Sequence, residues 1–265
     1  MRRTVSTRLE LDVREPAELA LQVAVAARER LAETFEVTLD GTPVEAREVA
    51  VAQGGRTHVI DAGAGRLRIA YAATVEGREE AATCGEEERL AYLRPSRYAE
   101  SDRLAEEARR LFGGISDPAE ILAGVSAWVG GEIGYEAGSS LPTHGAVDTL
   151  LSGRGVCRDF AHLVVAFLRA RNVPARFAAV YAPGLSPMDF HAVAEVAVDG
   201  VWRVVDATLL APRASLVRVS TGRDAADTAF LTVIGGVVDL LELEVGAVVE
   251  GNLPADDPRE LVSLG

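Results

Sequence analysis

A thiol, an imidazole and a carboxylate recur in this chain in an order that could do chemistry. Cys157 is followed 34 residues later by His191 and 15 residues after that by Asp206. A thiolate attacks an acyl carbon, an imidazole takes and returns the proton, and a carboxylate sets the tautomer of the imidazole. Such a trio works only if the fold brings it together, so the flanking residues must supply the positioning elements. From Gly153 to Arg171 the chain reads G-R-G-V-C-R-D-F-A-H-L-V-V-A-F-L-R-A-R. Phe160, Leu163, Val164, Phe167 and Leu168 fall at i, i+3, i+4, i+7 and i+8, the spacing of one apolar helix face. Gly153 and Gly155 break any regular element before it, and Asn172 and Pro174 stop the helix after it. Cys157 is therefore expected in the first turn of a buried helix, where unpaired N–H groups and the positive dipole end favour a thiolate. Taken alone, a cysteine at a helix start is more often an inert buried residue.

The second element is a hairpin. Phe190 to Val198 and Val201 to Ala207 both read as strands, with Asp199-Gly200 between them as a two-residue turn. In that register Val198 faces Val201 and Asp206 lies opposite Val193. Side chains alternate along a strand, so His191 shares a face with Val193 and Asp206. His191 and Asp206 are then diagonal neighbours roughly 7 Å apart at Cα, within reach of a carboxylate–imidazole hydrogen bond. The alternative is a structural histidine with a nearby surface carboxylate.

Together the blocks G-x-G-V-C-R-D-F-A-H-L, F-H-A-x-x-E-V and W-x-x-x-D-A-T resemble the bacterial transglutaminase-like superfamily, whose fold is papain-like. The resemblance covers about Tyr92 to Phe230 and includes L-R-P-S-R-Y at Leu93 to Tyr98 and T-G-R-D-A-A-D at Thr221 to Asp227. It implies Cys157 as nucleophile, His191 as general base and acid, and Asp206 as the orienting carboxylate. It does not specify a substrate, since members include cross-linking acyltransferases, peptidases and amidases. Many relatives carry Trp two residues after the histidine, where this chain has Val193.

The chain has 265 residues, 48% of them hydrophobic, and a formal net charge of −13. The acidic balance argues against nucleic acid and anionic membranes as partners. No run of 18 apolar residues suggests a membrane span. The start M-R-R-T-V-S-T-R-L-E lacks an apolar h-region, so no secretory signal is expected. Two cysteines, Cys84 and Cys157, make no disulfide framework, and a reducing cytoplasm is the expected setting. All 27 basic residues are arginine, and Gln22 and Gln53 are the only glutamines. Self-cross-linking through a lysine side chain is thereby excluded.

The expected architecture is α+β: a papain-like transglutaminase core, with the nucleophile helix packed on an antiparallel sheet, preceded by a β-sandwich-like domain. The expected divisions are a β-rich domain at 1–88, the core at 89–255 and a frayed polar tail at 256–265. Val5 to Val13, Thr34 to Leu39 and Leu67 to Val75 alternate as strands. The N-terminal domain is expected either to position substrate or bind a partner, or to serve as a structural wing. Cys84, beside the E-E-E run at Glu86 to Glu88, is expected in a linker, where carboxylates disfavour its thiolate. Asp117-Pro118-Ala119-Glu120 opens a helix with Asp as the cap, and Gly130-Gly131 are expected to stop it. After Asp206, Leu216 to Val219, Ala229 to Val233 and Val237 to Val249 are expected as closing strands.

Three further residues are candidates for the substrate groove or oxyanion site. Tyr135 either lines the groove, polarises the acyl oxygen or simply packs. Asp159 is read as a brace at the helix start. Trp128 is carried as a groove candidate although its spacing suits the core. The oxyanion hole is expected to use the Cys157 backbone N–H and one unidentified donor. His162 lies about 140° around the helix from Cys157 and is read as structural. Cys157, Asp159 and His162 do not have zinc-ligand spacing, and no metal or cofactor is expected.

The chemistry expected is thiol-dependent acyl transfer or hydrolysis on a peptide, protein or small amide, with hydrolysis favoured over cross-linking. One alternative is an arylamine-type N-acetyltransferase, which uses the same three residue types and an R-G-x-x-C-like motif but places its cysteine nearer the N-terminus. The other is a papain-like core kept as a non-catalytic scaffold.

Overall fold

The computed structural model describes residues 1–28, 31–51 and 55–265. Gln53 lies outside them. Two β-sheets, built on the N-terminal strands, face one another. The first orders β15 (Val237–Val249), β1 (Arg2–Glu15), β7 (Gly65–Glu76), β3 (Leu31–Leu39) and β4 (Thr42–Pro43); the second orders β14 (Leu231–Ile234), β2 (Ala17–Leu21), β6 (Arg56–Ala62) and β5 (Arg47–Ala50). Alternation along β1 places Val5, Leu9, Leu11 and Val13 inside, where they meet Leu19, Ile60, Leu67 and Ile69. This two-sheet packing is the sandwich that the period-2 pattern predicts.

The core is a four-stranded antiparallel sheet in the order β12 (Val201–Val205), β11 (His191–Val198), β10 (Ala175–Tyr181), β13 (Val217–Gly222). Helix α5 (Cys157–Ala170) packs on it, with Phe160, Leu163, Val164, Phe167 and Leu168 all buried. Asn172 adopts the left-handed conformation (φ 60°) just past the helix, as the cap pattern predicts. Helices α2 (Ala105–Phe112), α3 (Pro118–Glu132) and α4 (Ala146–Ser152) cover α5 on the other side. Asp117 caps α3, accepting the N–H groups of Ala119 and Glu120, both at 3.0 Å.

Four expectations are corrected by long-range packing. First, β14 and β15 do not close the central sheet. β15 pairs along β1, and β14 pairs with β2, so residues 231–249 complete the sandwich and the division at 255 does not follow sheet membership. Second, residues 256–265 are anchored rather than frayed. The Arg213 guanidinium grips Asp256 at 2.9 Å, Val204 N–H donates to Val262 O at 2.7 Å, and Leu264 is buried. Third, the segment around Cys84 is no linker. Glu86–Ala91 forms helix α1, whose Glu88 pairs with Arg176 at 3.0 Å, while Cys84 N–H donates to Gly200 O. Fourth, α3 runs through Gly130 and Gly131 to Glu132. A Cβ at Gly130 would lie 2.7 Å from Ala207 O, so that glycine is there for close packing against the chain just beyond Asp206.

Sandwich and core share one apolar interior, since Tyr181, Val217 and Val219 pack among the β1 and β2 side chains. Polar ties cross the same boundary. The buried Arg3 donates to Leu216 O at 3.1 Å and Gly265 O at 2.8 Å, and the Tyr181 hydroxyl donates to Val23 O at 2.7 Å while meeting Thr7 Oγ1.

Candidate active site

Helix α5 begins at Cys157, with Val156 as its cap residue. The entry is held by Asp159, three residues beyond Val156. Its Oδ2 accepts the Val156 N–H at 2.8 Å, and its Oδ1 accepts the Ser140 hydroxyl at 2.8 Å. A Cβ at Gly155 would meet the Asp159 Cβ at 2.6 Å, so only glycine lets the turn close this tightly. Asp159 thus braces the helix start rather than facing substrate. Cys157 is half-buried against Ala161, Phe177 and Ala192.

The hairpin has the predicted register: Val198 pairs with Val201, and Ala194 with Val205. Asp199 and Gly200 both take positive φ, 51° and 72°, in the two-residue turn. His191 opens β11 and Asp206 follows the end of β12. His191 Nε2 and Asp206 Oδ2 are 2.7 Å apart in a buried contact. Asp206 Oδ1 is held in turn by Thr208, which donates its N–H at 3.0 Å and its hydroxyl at 2.6 Å. Cys157 and His191 line one cavity, and the buried His191 Nδ1 has no hydrogen-bond partner. Burial opposes a charge on this imidazole, but the Asp206 carboxylate outweighs it with help from Cys157, and His191 is held up at about 10.

Tyr135 reaches the same spot by a different route. The short strands β8 (Gly134–Tyr135) and β9 (Arg154–Gly155) pair in parallel, which sets Tyr135 beside the turn into α5. The Tyr135 ring lies 5.9 Å from Phe160. Burial pushes the phenol above its ordinary range, and Cys157, Asp189 and Asp206 push in the same direction. Trp128 is elsewhere: it packs edge-on against Phe112 and Phe167, at 6.5 and 5.4 Å, in the helical layer. Its spacing on α3 was the better guide than its residue type. Cys84 is raised by burial and then by Glu88, as its acidic surroundings predict.

His162 is fully buried one and a half turns along α5. It stacks on Tyr98 (5.3 Å) and lies 5.0 Å from Phe177. Its Nε2 accepts the Ala225 N–H at 3.1 Å, and burial pushes it down to about 3. Asp224 fixes the same loop, accepting N–H groups from Tyr98 at 2.8 Å and Ala226 at 3.0 Å. Among the described residues no three His, Cys, Asp or Glu side chains are grouped as a metal ion requires, and no helix is long and apolar enough to cross a membrane.

A cavity of about 380 Å³ opens beside Cys157 and His191, within the range of small-ligand sites. Core and sandwich both line it. Phe177, Ala179 and Ala192 come from the central sheet, and Thr228 and Phe230 from the loop before β14. Gln22 and Leu243 come from the sandwich. Sequence reasoning missed Gln22, Thr208, Asp224 and Thr228. The T-G-R-D-A-A-D block pointed at the loop, but no local pattern points at Gln22.

Residues 105–207 match the transglutaminase-like superfamily. Over 90 residues the chain is 29% identical to an uncharacterised protein of Mycobacterium leprae, covering 34% of this chain and 32% of that one, so it aligns with about a third of that relative's length. Among solved structures it is similar to a candidate cysteine protease from Cytophaga hutchinsonii, with 29% identity, a TM-score of 0.88, and 98% and 96% of the two chains covered. The periplasmic domain of TgpA from Pseudomonas aeruginosa is more distant: 17% identity, a TM-score of 0.45, and 77% and 87% coverage.

Proposed function

We propose that this chain, a member of the transglutaminase-like superfamily through residues 105–207, is a cysteine hydrolase acting on a peptide or amide carbonyl. The observation that carries this reading is the surroundings of one imidazole: Asp206 holds its Nε2 at 2.7 Å, its Nδ1 is left unpartnered, and Cys157 lines the same cavity. The thiolate is the nucleophile, and an imidazolium beside it supplies the counter-charge. The Cys157 sulfur forms a bond to the acyl carbon, and the resulting oxyanion is met by the Cys157 backbone N–H and the Tyr135 hydroxyl. Collapse breaks the carbon–nitrogen bond, and the amine leaves with the proton from His191. Water then attacks the thioester, giving its proton to His191, and the carbon–sulfur bond breaks to release the acid. Asp206, itself held by Thr208, keeps the imidazole in the working orientation.

Water is favoured as the acyl acceptor by the likeness to a candidate cysteine protease at 29% identity. A reducing, cytoplasmic setting suits a free nucleophilic thiol. The test is alkylation by iodoacetamide against pH, read by intact mass and peptide mapping, on wild type and His191→Ala, with Cys84 as internal control. Cys157 is expected to react far faster than Cys84 at pH 6, and His191→Ala to remove the advantage. A Cys157 inert up to pH 8 in the folded protein would overturn the reading in favour of a scaffold.

A further inference from the structure

We infer that the cavity beside Cys157 selects an acyl donor with a tyrosine-like side chain, aromatic in body and ending in a hydroxyl, and that Gln22 and Thr228 read that hydroxyl. The inference rests on Cys157 being the nucleophile of the proposed hydrolase. Gln22 and Thr228 line the cavity, and one oxygen of each, Gln22 Oε1 and Thr228 Oγ1, is buried with no hydrogen-bond partner. Thr228 is only 5% exposed. Buried polar atoms are ordinarily paired, so two orphans on residues that line one cavity point to a ligand that pairs them.

Their placement is fixed. Gln22 Nε2 donates to Asp227 O at 3.0 Å, and the Gln22 N–H donates to Phe230 O at 3.1 Å. Flipping the amide would set carbonyl against carbonyl, so Oε1 is the atom left over. Asp224 and His162 hold the loop that carries Thr228. A carboxamide oxygen only accepts, whereas a threonine hydroxyl can donate. A phenol hydroxyl donates one proton and accepts one, so it can pair with either oxygen. The body of the cavity suits an aromatic ring. The Phe190 and Phe230 rings lie 5.6 Å apart and nearly parallel, Phe177 adds a third, and alanines at 179 and 192 leave the room. Among the described residues, the charged groups lining the cavity besides Cys157 and His191 are Arg158 and Asp189. Arg158 is already bonded to Ser140 Oγ and Leu141 O, and Asp189 is exposed.

The test uses the full chain and a series of N-acetyl aminoacyl nitroanilides carrying Tyr, Phe, Leu, Gln or Glu. The tyrosyl substrate is expected to exceed the phenylalanyl one in kcat/KM by at least about 10-fold, since a site built to bond a hydroxyl rejects the analogue lacking it. That ratio should collapse to about 2-fold in Gln22→Leu and in Thr228→Val, and survive in Thr228→Ser. The same ratio is read without turnover, as the Kd of N-acetyl-tyrosinamide against N-acetyl-phenylalaninamide for Cys157→Ala by calorimetry. Equal handling of the tyrosine and phenylalanine ligands, a ratio unmoved by both variants, or a preference for Gln or Glu would overturn the inference. Loss of the hydrolase reading looks different: no substrate turns over and iodoacetamide shows no His191-dependent advantage, while the calorimetric ratio still decides the pocket.

Discussion

His162 and His191 are buried alike, 0% and 2% exposed, yet the protein holds them in opposite states. His162 lies in the interior of α5 between aromatic rings. Its Nε2 accepts a backbone N–H, and burial presses its titration down to about 3. His191 opens a strand and faces Asp206 at 2.7 Å, and it is held up at about 10 against the same burial. Depth in the core therefore does not decide the charge. The partner does: a donated N–H needs a neutral acceptor, whereas a carboxylate at hydrogen-bonding distance favours the imidazolium. The neutral histidine holds a loop, and the charged one stands where the proposed hydrolysis would move a proton.

Removing the carboxylate should make the second histidine behave like the first. Asp206→Asn is expected to cost about 10²–10⁴-fold in kcat, with the His191 titration falling well below about 10 because burial is then opposed by Cys157 alone. NMR titration of the ring protons checks this, and a His191 that stays high would break the comparison.

His162→Ala acts on the other side. It opens a cavity and strips the Ala225 N–H of its acceptor, at a cost of about 2–4 kcal/mol in unfolding stability. The pH profile of Cys157 alkylation should keep its shape in the folded protein. Urea unfolding and the iodoacetamide assay read the two quantities separately.

The contrast also predicts a dome of stability against pH. His191 is raised in the folded state, so its contribution is full below the unfolded value near 6.5 and is lost as pH climbs through about 10. His162 is lowered, so the unfolded chain takes up a proton first, and stability falls as pH drops from about 6.5 towards 3. The Tm difference between wild type and His191→Gln should shrink from pH 7 to 10.5, and that between wild type and His162→Phe should shrink from pH 7 to 4. A difference constant with pH in either pair would remove that histidine from the account.

The smallest effect belongs to a residue that touches neither histidine's ring nitrogens. Tyr135→Phe removes the hydroxyl of a half-exposed residue carried beside the turn into α5. About a 10-fold loss in kcat with unchanged Tm is expected from one oxyanion donor in so open a site. An unchanged kcat would assign Tyr135 to packing.

Local order accounts for what was legible in the sequence. The helix from Cys157 follows from five apolar residues on one face, and Asn172 closes it within the same segment. A two-residue turn sets the register of its strands, so Asp199-Gly200 alone placed His191 near Asp206. These relations span at most a few turns or one hairpin, where spacing translates directly into geometry. The approach of Cys157 to His191 was expected by resemblance, since nothing in 34 residues of spacing requires it. Tertiary structure alone decided the rest. It set β14 and β15 in the sandwich, tied the last ten residues to Arg213, Val204 and Arg3, and turned Gly130 from a presumed stop into a contact with Ala207. It also brought Gln22 to Asp227, 205 residues away, and so built a cavity from core and sandwich together. Pairing across such distances depends on which surfaces fit once the elements exist, and no local period records that.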